Sequence, residues 1–332
     1  MTILAIGTAP GDFDSADAKN AGVLLYEGTI RLGPNGKAGI MLNGLSTGFN
    51  IALSEPVTEL WFTAWFASYR VDASAFWKLV DADGITVFQF ESDLKDRVDF
   101  EVWNGSAFQE LVSDVPFPWD AEVFRFDVRF KLDAVDGVVE LYVNGELTGS
   151  FAGNTNPRGA ASIASLRLLP ATGSANYVSY YSQILVSTES TLGKEVIAHF
   201  PNAAGTFADQ VEGGVAEIDE IGVNDADFLR LAAAGDRASF ATTPLPAAFA
   251  SGWDVVAVVS NVRAQMAESS PVDLVEPLVV SGGVAAIGDS RPLSLAPRAK
   301  FAAFELDPAT GQPWTIAAAS AAEVGLRTAA GE

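Results

Sequence analysis

The chain contains no cysteine, a single histidine (His199) and three methionines. Without thiols, a disulfide staple, a thiolate metal site and a cysteine nucleophile are all excluded. His199 has no His or Cys partner, which leaves no expected metal centre and no cofactor. Basic residues are also scarce: 20 Lys and Arg stand against 42 Asp and Glu, a formal net charge of −22, and no Lys/Arg-rich run occurs. A surface of that sign repels phosphate backbones and anionic lipid, so neither nucleic acid nor membrane insertion is expected. No apolar run reaches membrane-spanning length, and residues 1–10 lack the basic region of a secretory signal; a soluble product made in the cytoplasm is expected.

What is present is strand pattern. The 332 residues are 49% hydrophobic and 19% charged, the balance of a folded globular chain with room for two domains. In residues 137–151, Val139, Leu141 and Val143 alternate with Glu140 and Tyr142, and Asn144-Gly145 supplies the two positive-φ residues of a type I′ hairpin. Asn104-Gly105 suggests a second hairpin between residues 97–103 and 107–112. Residues 59–69 (ELWFTAWFASY) are apolar on both parities, as a central strand requires. Further strands are expected at residues 76–80, 85–91, 123–132, 162–169 and 177–187. Short strands at this spacing indicate an all-β jelly-roll sandwich over residues 1–200.

Residues 201–205 read as a linker to a second, smaller β-sandwich over residues 206–332. Its strands are expected at residues 217–223, 228–231, 238–242, 253–265, 274–280 and 300–305, with the apolar run at 255–259 as its centre. One short helix is expected over residues 313–323, stopped by Gly325.

Three candidate chemistries fail on context. Gly44-Leu45-Ser46-Thr47-Gly48 fits G-x-S-x-G, but that elbow must join a strand to a helix, and His199 would be its only base. Glu217-Ile218-Asp219-Glu220-Ile221 comes near the E-x-D-x-E of jelly-roll glycosidases, yet the third acid is replaced by Ile221. Asp81-Ala82-Asp83-Gly84 and Asn224-Asp225-Ala226-Asp227 offer oxygen ligands but read as turns, because Asp and Asn favour turns for backbone reasons. Trp61, Trp65, Trp77, Trp103 and Trp119 could stack on sugars, although most should pack the core. No catalytic, cofactor-binding or metal residue is assigned, and the chain is expected not to be an enzyme.

The hairpin at residues 137–151 resembles the closing hairpin of concanavalin A-like and laminin-G-like jelly rolls. Tyr180-Tyr181-Ser182-Gln183-Ile184-Leu185-Val186, then Thr191-Leu192-Gly193-Lys194-Glu195-Val196 and Phe200-Pro201-Asn202-Ala203-Ala204-Gly205, resembles a junction found in structural proteins of tailed bacteriophages and prophages. It departs at Ser182-Gln183, where that group often has two acids. Asp307-Pro308-Ala309-Thr310-Gly311-Gln312-Pro313-Trp314-Thr315 is similar to the group's terminal motif. The resemblance implies a virion component: a tail fibre, tail tip or baseplate protein, or a capsid or neck decoration. It also implies other virion proteins as partners, a homo-oligomer within the particle and contact with a host-surface glycan. The alternative is a carbohydrate-binding lectin or glycoside hydrolase using the jelly-roll face.

Overall fold

A computed structural model describes residues 1–7, 22–25, 38–43, 48–69, 75–92, 97–119, 123–169, 178–218, 225–246, 249, 251–268 and 270–331. The chain divides into two units, Met1–Ala198 and His199–Glu332, and both are built from antiparallel sheets.

The first unit is a sandwich of two sheets. The eight-stranded sheet runs β12 (Glu146–Gly153), β11 (Gly137–Val143), β10 (Phe124–Lys131), β5 (Glu59–Tyr69), β14 (Val178–Ser187), β3 (Ala38–Asn43) and β2 (Gly22–Leu25), and β1 (Ile3–Gly7) also pairs with β14. The six-stranded sheet runs β4 (Phe49–Val57), β13 (Ile163–Leu168), β6 (Ala75–Val80), β7 (Thr86–Ser92), β8 (Arg97–Trp103) and β9 (Phe108–Pro116). Strand alternation sends one parity of each strand inward. Phe62 and Phe66 of β5 thereby face β6, where a register shift between Ala75 and Trp77 lets the consecutive Phe76 and Trp77 both turn inward; the Phe62–Trp77 and Phe66–Phe76 ring centroids are 5.3 and 5.8 Å apart, and Phe88 of β7 meets Phe130 of β10 at 4.8 Å. These rings are fully buried, and aromatic pairs at such distances contribute beyond the area they bury.

The hairpin at residues 137–151 forms as its sequence dictates: Asn144 and Gly145 have φ of 50° and 84°, the signs a type I′ turn needs. The Asn104-Gly105 connection differs. It takes four residues, because the Asn104 side-chain oxygen accepts hydrogen bonds from the Ser106 and Ala107 N–H groups and widens the turn.

The outer face of the eight-stranded sheet carries a buried ion cluster. Arg125 Nε donates to Thr63 Oγ1 at 3.0 Å and to Asp127 Oδ2 at 3.1 Å. Its Nη2 reaches Asp127 Oδ1 at 2.9 Å and the Thr191 carbonyl at 2.7 Å, and its Nη1 reaches Glu195 Oε1 at 3.1 Å. Thr191 Oγ1 donates to Asp127, and Trp65 Nε1 to Glu195. The segment following β14 is thus clamped against the sheet by one guanidinium whose rigid fork of donors is shared among four partners.

The second unit holds a six-stranded sheet, β15 (Pro201–Ala208), β16 (Arg237–Thr242), β24 (Glu323–Ala329), β18 (Leu274–Ser281) and β19 (Val284–Ile287), with β20 (Arg291–Pro292) also on β18. Beside it lie two strand pairs, β17 (Val258–Ala264) with β21 (Arg298–Phe304) and β22 (Leu306–Asp307) with β23 (Gln312–Pro313).

Several expectations for this unit need correction. Residues 201–205, expected as a linker, lie in β15 and pair with β16. The centre of the sheet is β18, buried on both faces from Val275 to Ser281, whereas the run at 255–259 only begins the two-stranded β17. Residues 215–217 form a 3-10 turn that Ile218 ends, in place of the start of a strand, and residues 219–223 of the expected strand lie outside the described residues. The helix α1 spans only Ile316–Ser320, with Thr315 as its N-cap accepting from Ala318 N–H. Gly325 does not stop it. This glycine sits within β24, where a Cβ would lie 2.0 Å from the Ala238 carbonyl, so it permits close strand approach.

Replacing Arg125 by Leu leaves the Asp127 and Glu195 carboxylates buried without their cation. Urea unfolding of Arg125→Leu is expected to show a loss of about 3–5 kcal/mol; a loss below about 1 kcal/mol would mean that the cluster does not hold the segment.

Candidate functional site

The two outer faces of the first unit differ in how completely they satisfy themselves. On the eight-stranded sheet, the Arg125 cluster is joined by Arg129, which pairs with Glu59 at 2.9 Å and Glu140 at 3.7 Å while Trp61 stacks on Tyr142. The six-stranded sheet is different. Its outward residues fall into register as a row, Asn50 opposite Arg167, Arg167 opposite Lys78, Lys78 opposite Gln89, Gln89 opposite Glu101, and Glu101 opposite Glu110. With strands about 4.8 Å apart, the row extends roughly 24 Å.

One end of the row is basic. A pocket of about 560 Å³ opens there, lined by Asn50, Lys78, Thr86, Ser165 and Arg167 together with the turn at Asp81. Lys78 has no carboxylate within ion-pair distance among the described residues; its ammonium lies 5.7 Å from the Phe108 ring centroid. Burial, and then the Arg167 charge, pull the Lys78 ammonium below its ordinary pKa, against the pull of Glu91 and Glu101. The Asp81 carboxylate at the rim is already engaged. Its Oδ2 accepts from Arg158, and its Oδ1 accepts from the N–H groups of Asp83 and Ile85 at 3.0 and 2.8 Å. The Asp81–Asp83 turn is therefore held by its own backbone and Arg158, and its carboxylate is not turned toward an ion.

The other end is acidic. Gln89, 3% exposed, donates its amide to Glu91 at 3.2 Å and to Glu101 at 2.6 Å, while its Oε1 finds no partner among the described residues. Burial and the neighbouring Glu91 and Glu110 raise the Glu101 carboxyl above the usual glutamate range, in spite of the Gln89 hydrogen bond. Beside it, Trp103 of β8 packs edge-on against Phe108 of β9 at 5.1 Å, and both rings are partly exposed on this face.

The other residues weighed from sequence are placed elsewhere. Trp77 and Trp119 are core, Trp65 belongs to the Arg125 cluster, and Trp103 alone of the five tryptophans shares a face with the polar row. Gly44, Leu45, Ser46 and Thr47 lie outside the described residues, as do Asp219, Glu220, Ile221 and Asn224. The Nδ1 of His199 is in hydrogen-bond contact with the Thr243 carbonyl, and Asp225 pairs with Arg263 at 2.7 Å. Sequence reading missed the row itself. Each strand shows its polar parity, but the pairing of β13 with both β4 and β6 brings together residues more than 80 positions apart.

No protein-family model matches the chain, and no curated protein matches it. Solved structures do match. A galectin from Caenorhabditis elegans is 14% identical, covering 44% of this chain and 95% of the galectin at a TM-score of 0.33. A carbohydrate-binding module from Bacillus subtilis is 11% identical, covering 50% and 95% at 0.31. An alginate lyase of polysaccharide lyase family 7 is 9% identical, covering 55% and 93% at 0.34. The likeness is one of fold alone, an all-β jelly-roll sandwich. It also overturns the expectation that the chain is not an enzyme, since the matching structures include alginate lyases and sialidases.

The raised Glu101 has a consequence for stability. A carboxyl whose pKa is higher in the folded state contributes stability while protonated and loses it as pH rises through the folded value. The urea midpoint of Glu101→Gln is therefore expected to match the parent near pH 4 and to exceed it increasingly toward pH 7. A difference that stays constant with pH would contradict the assignment.

Proposed function

We propose that the first unit binds a glycan along the outer face of its six-stranded sheet. The observation that carries this reading is the register-locked row Asn50, Arg167, Lys78, Gln89, Glu101 and Glu110. It presents amide and cationic donors at one end and carboxylate acceptors at the other, at strand spacing, beside a partly exposed aromatic pair and a pocket. Saccharides present hydroxyls that both donate and accept, together with apolar ring faces that pack on indole. The row supplies both kinds of partner, and the folds it resembles include galectin and carbohydrate-binding modules. The tailed-phage motifs supply a setting for such a face, contact between a virion protein and a host-surface glycan. That setting rests on sequence and is tested by mass spectrometry of purified particles.

A second reading, turnover of the bound glycan, is favoured by Glu101. A carboxyl whose pKa is raised by burial and by neighbouring carboxylates, one amide away from a second carboxyl, is disposed to donate a proton to a leaving oxygen.

A glycan array probed with the intact chain, followed by titration of tryptophan fluorescence, tests the proposal. Binding is expected, with Trp103→Ala weakening it by about 3- to 12-fold, the range of a stacking contact. Turnover would appear as new chain ends that vanish in Glu101→Gln while binding persists. Absence of any glycan ligand, or binding indifferent to Trp103, would contradict the reading.

A further inference from the structure

Strand β19 ends the six-stranded sheet of the second unit, and its outer edge pairs with no strand among the described residues. Gly282 and Gly283, with φ of 55° and 80°, form the two-residue turn that joins it to β18, so Ser281 and Val284 face one another as a hydrogen-bonded pair. Hydrogen-bonded and non-hydrogen-bonded pairs alternate along an antiparallel ladder. The Gly288 N–H, donating to the Pro277 carbonyl at 2.8 Å, fixes the same phase from the other end. Ala285 and Ile287 therefore turn their N–H and C=O groups away from β18, toward the free edge.

Such edges are ordinarily blunted by charge, proline or a bulge. Among the other outermost strands, β9 carries Glu110 and Asp114, β12 carries Glu146, β4 carries Glu55 and Pro56, and β15 begins at Pro201 and is broken by register shifts. Strand β19 has none of these protections. Residues 277–288 hold no charged side chain, in a chain of net charge −22, and Val284 and Ile287 are 47% and 39% exposed.

We propose that β19 pairs antiparallel with β19 of a second copy of this chain, across a two-fold axis at Ala286, and joins the two six-stranded sheets into one. The phase of the ladder restricts the register, because residues that face one another must both point to the shared edge or both away from it. With Ala286 opposite itself, Ala285 and Ile287 of one copy exchange backbone hydrogen bonds with Ile287 and Ala285 of the other. Each large side chain then meets a small one, since Ile287 faces Ala285 and Val284 faces Gly288. No charge opposes another along the strand, which is what lets two strongly acidic copies approach at this edge. A second copy brings this complement by symmetry, and two-fold pairing closes after two chains. The inference is independent of the glycan reading; pairing gives one assembly two first units, which adds avidity for a repetitive ligand.

Sedimentation equilibrium of the full chain tests the pairing. Two short strands bury less than a standard interface, so a monomer–dimer equilibrium with a dissociation constant of roughly 1–100 μM is expected. Ile287→Lys puts a charge into the contact and should weaken the dimer about tenfold or more. Adding Ala285→Glu to that variant sets opposite charges against one another at both hydrogen-bonded pairs and should recover most of the loss. In the unsubstituted chain, hydrogen exchange at the Ala285 and Ile287 amides should slow as the dimer fills, a readout that needs no variant. A chain that stays monomeric at about 1 mM, that assembles beyond the dimer, or that dimerises without protecting these two amides would overturn the inference. So would a dimer that persists in Ile287→Lys when the urea midpoint of that variant matches the parent. Failure of Ala285→Glu to restore the dimer would overturn the register with Ala286 on the axis.

Discussion

The aromatic layer between the two sheets is the constraint on which the rest of the first unit depends. Phe62, Phe66, Trp77, Phe88, Phe90 and Phe100 are fully buried, and Phe66 alone packs within 6.0 Å of Phe76, Phe117, Trp119, Phe124, Phe126 and Tyr181. A one-residue slip of any of these strands would turn its rings to water and its polar parity to the core. Burying the rings therefore also fixes which residues face out. The row from Asn50 to Glu110 is the obligatory other side of that packing.

The two sheets use their outward parity differently. Around β5 and β10 it is occupied by Arg125, Asp127, Arg129, Glu59 and Glu140, whose charges are paired with one another and with the segment carrying Thr191 and Glu195. That face is closed by its own chain. On β6, β7 and β8 the outward groups leave capacity unspent among the described residues: a lysine without a carboxylate at ion-pair distance, a glutamine oxygen without a donor, and a glutamate whose ionisation is disfavoured. Buried polar groups in folded proteins are nearly always satisfied, and it is this residual capacity on which the proposal of a ligand at this face rests.

Much of the fold was legible because its signals are local. Alternation in residues 137–151 and the positive-φ demand of Asn144-Gly145 are properties of short stretches, and both appear in the structure. The Asp307–Thr315 motif was legible as a pattern, and the structure gives its reason. Asp307 accepts from the Ala309 N–H and the Thr310 hydroxyl, Gly311 takes φ of +67°, and the buried Trp314 donates to the Phe304 carbonyl at 2.7 Å. The motif is thus a folding device of the second unit, and says little about location. Likewise Thr191 and Glu195, noticed as part of a junction, act as the far side of the Arg125 clamp. What could not be read was everything set by non-local pairing. Lys78 and Arg167 become neighbours only when β13 inserts between β4 and β6, and Gly325 looks like a helix stop until β24 is brought against β16.

The central claim is that the outer face of the six-stranded sheet, and no other surface, receives the ligand. Amide chemical-shift mapping of the full chain during titration with a glycan identified on the array tests it most directly. The account predicts perturbations concentrated on β13, β6, β7 and β8, centred on Arg167, Lys78 and Gln89 and fading toward β10 and β5. Perturbations centred on the Arg125 face, or confined to residues of the second unit, would contradict it.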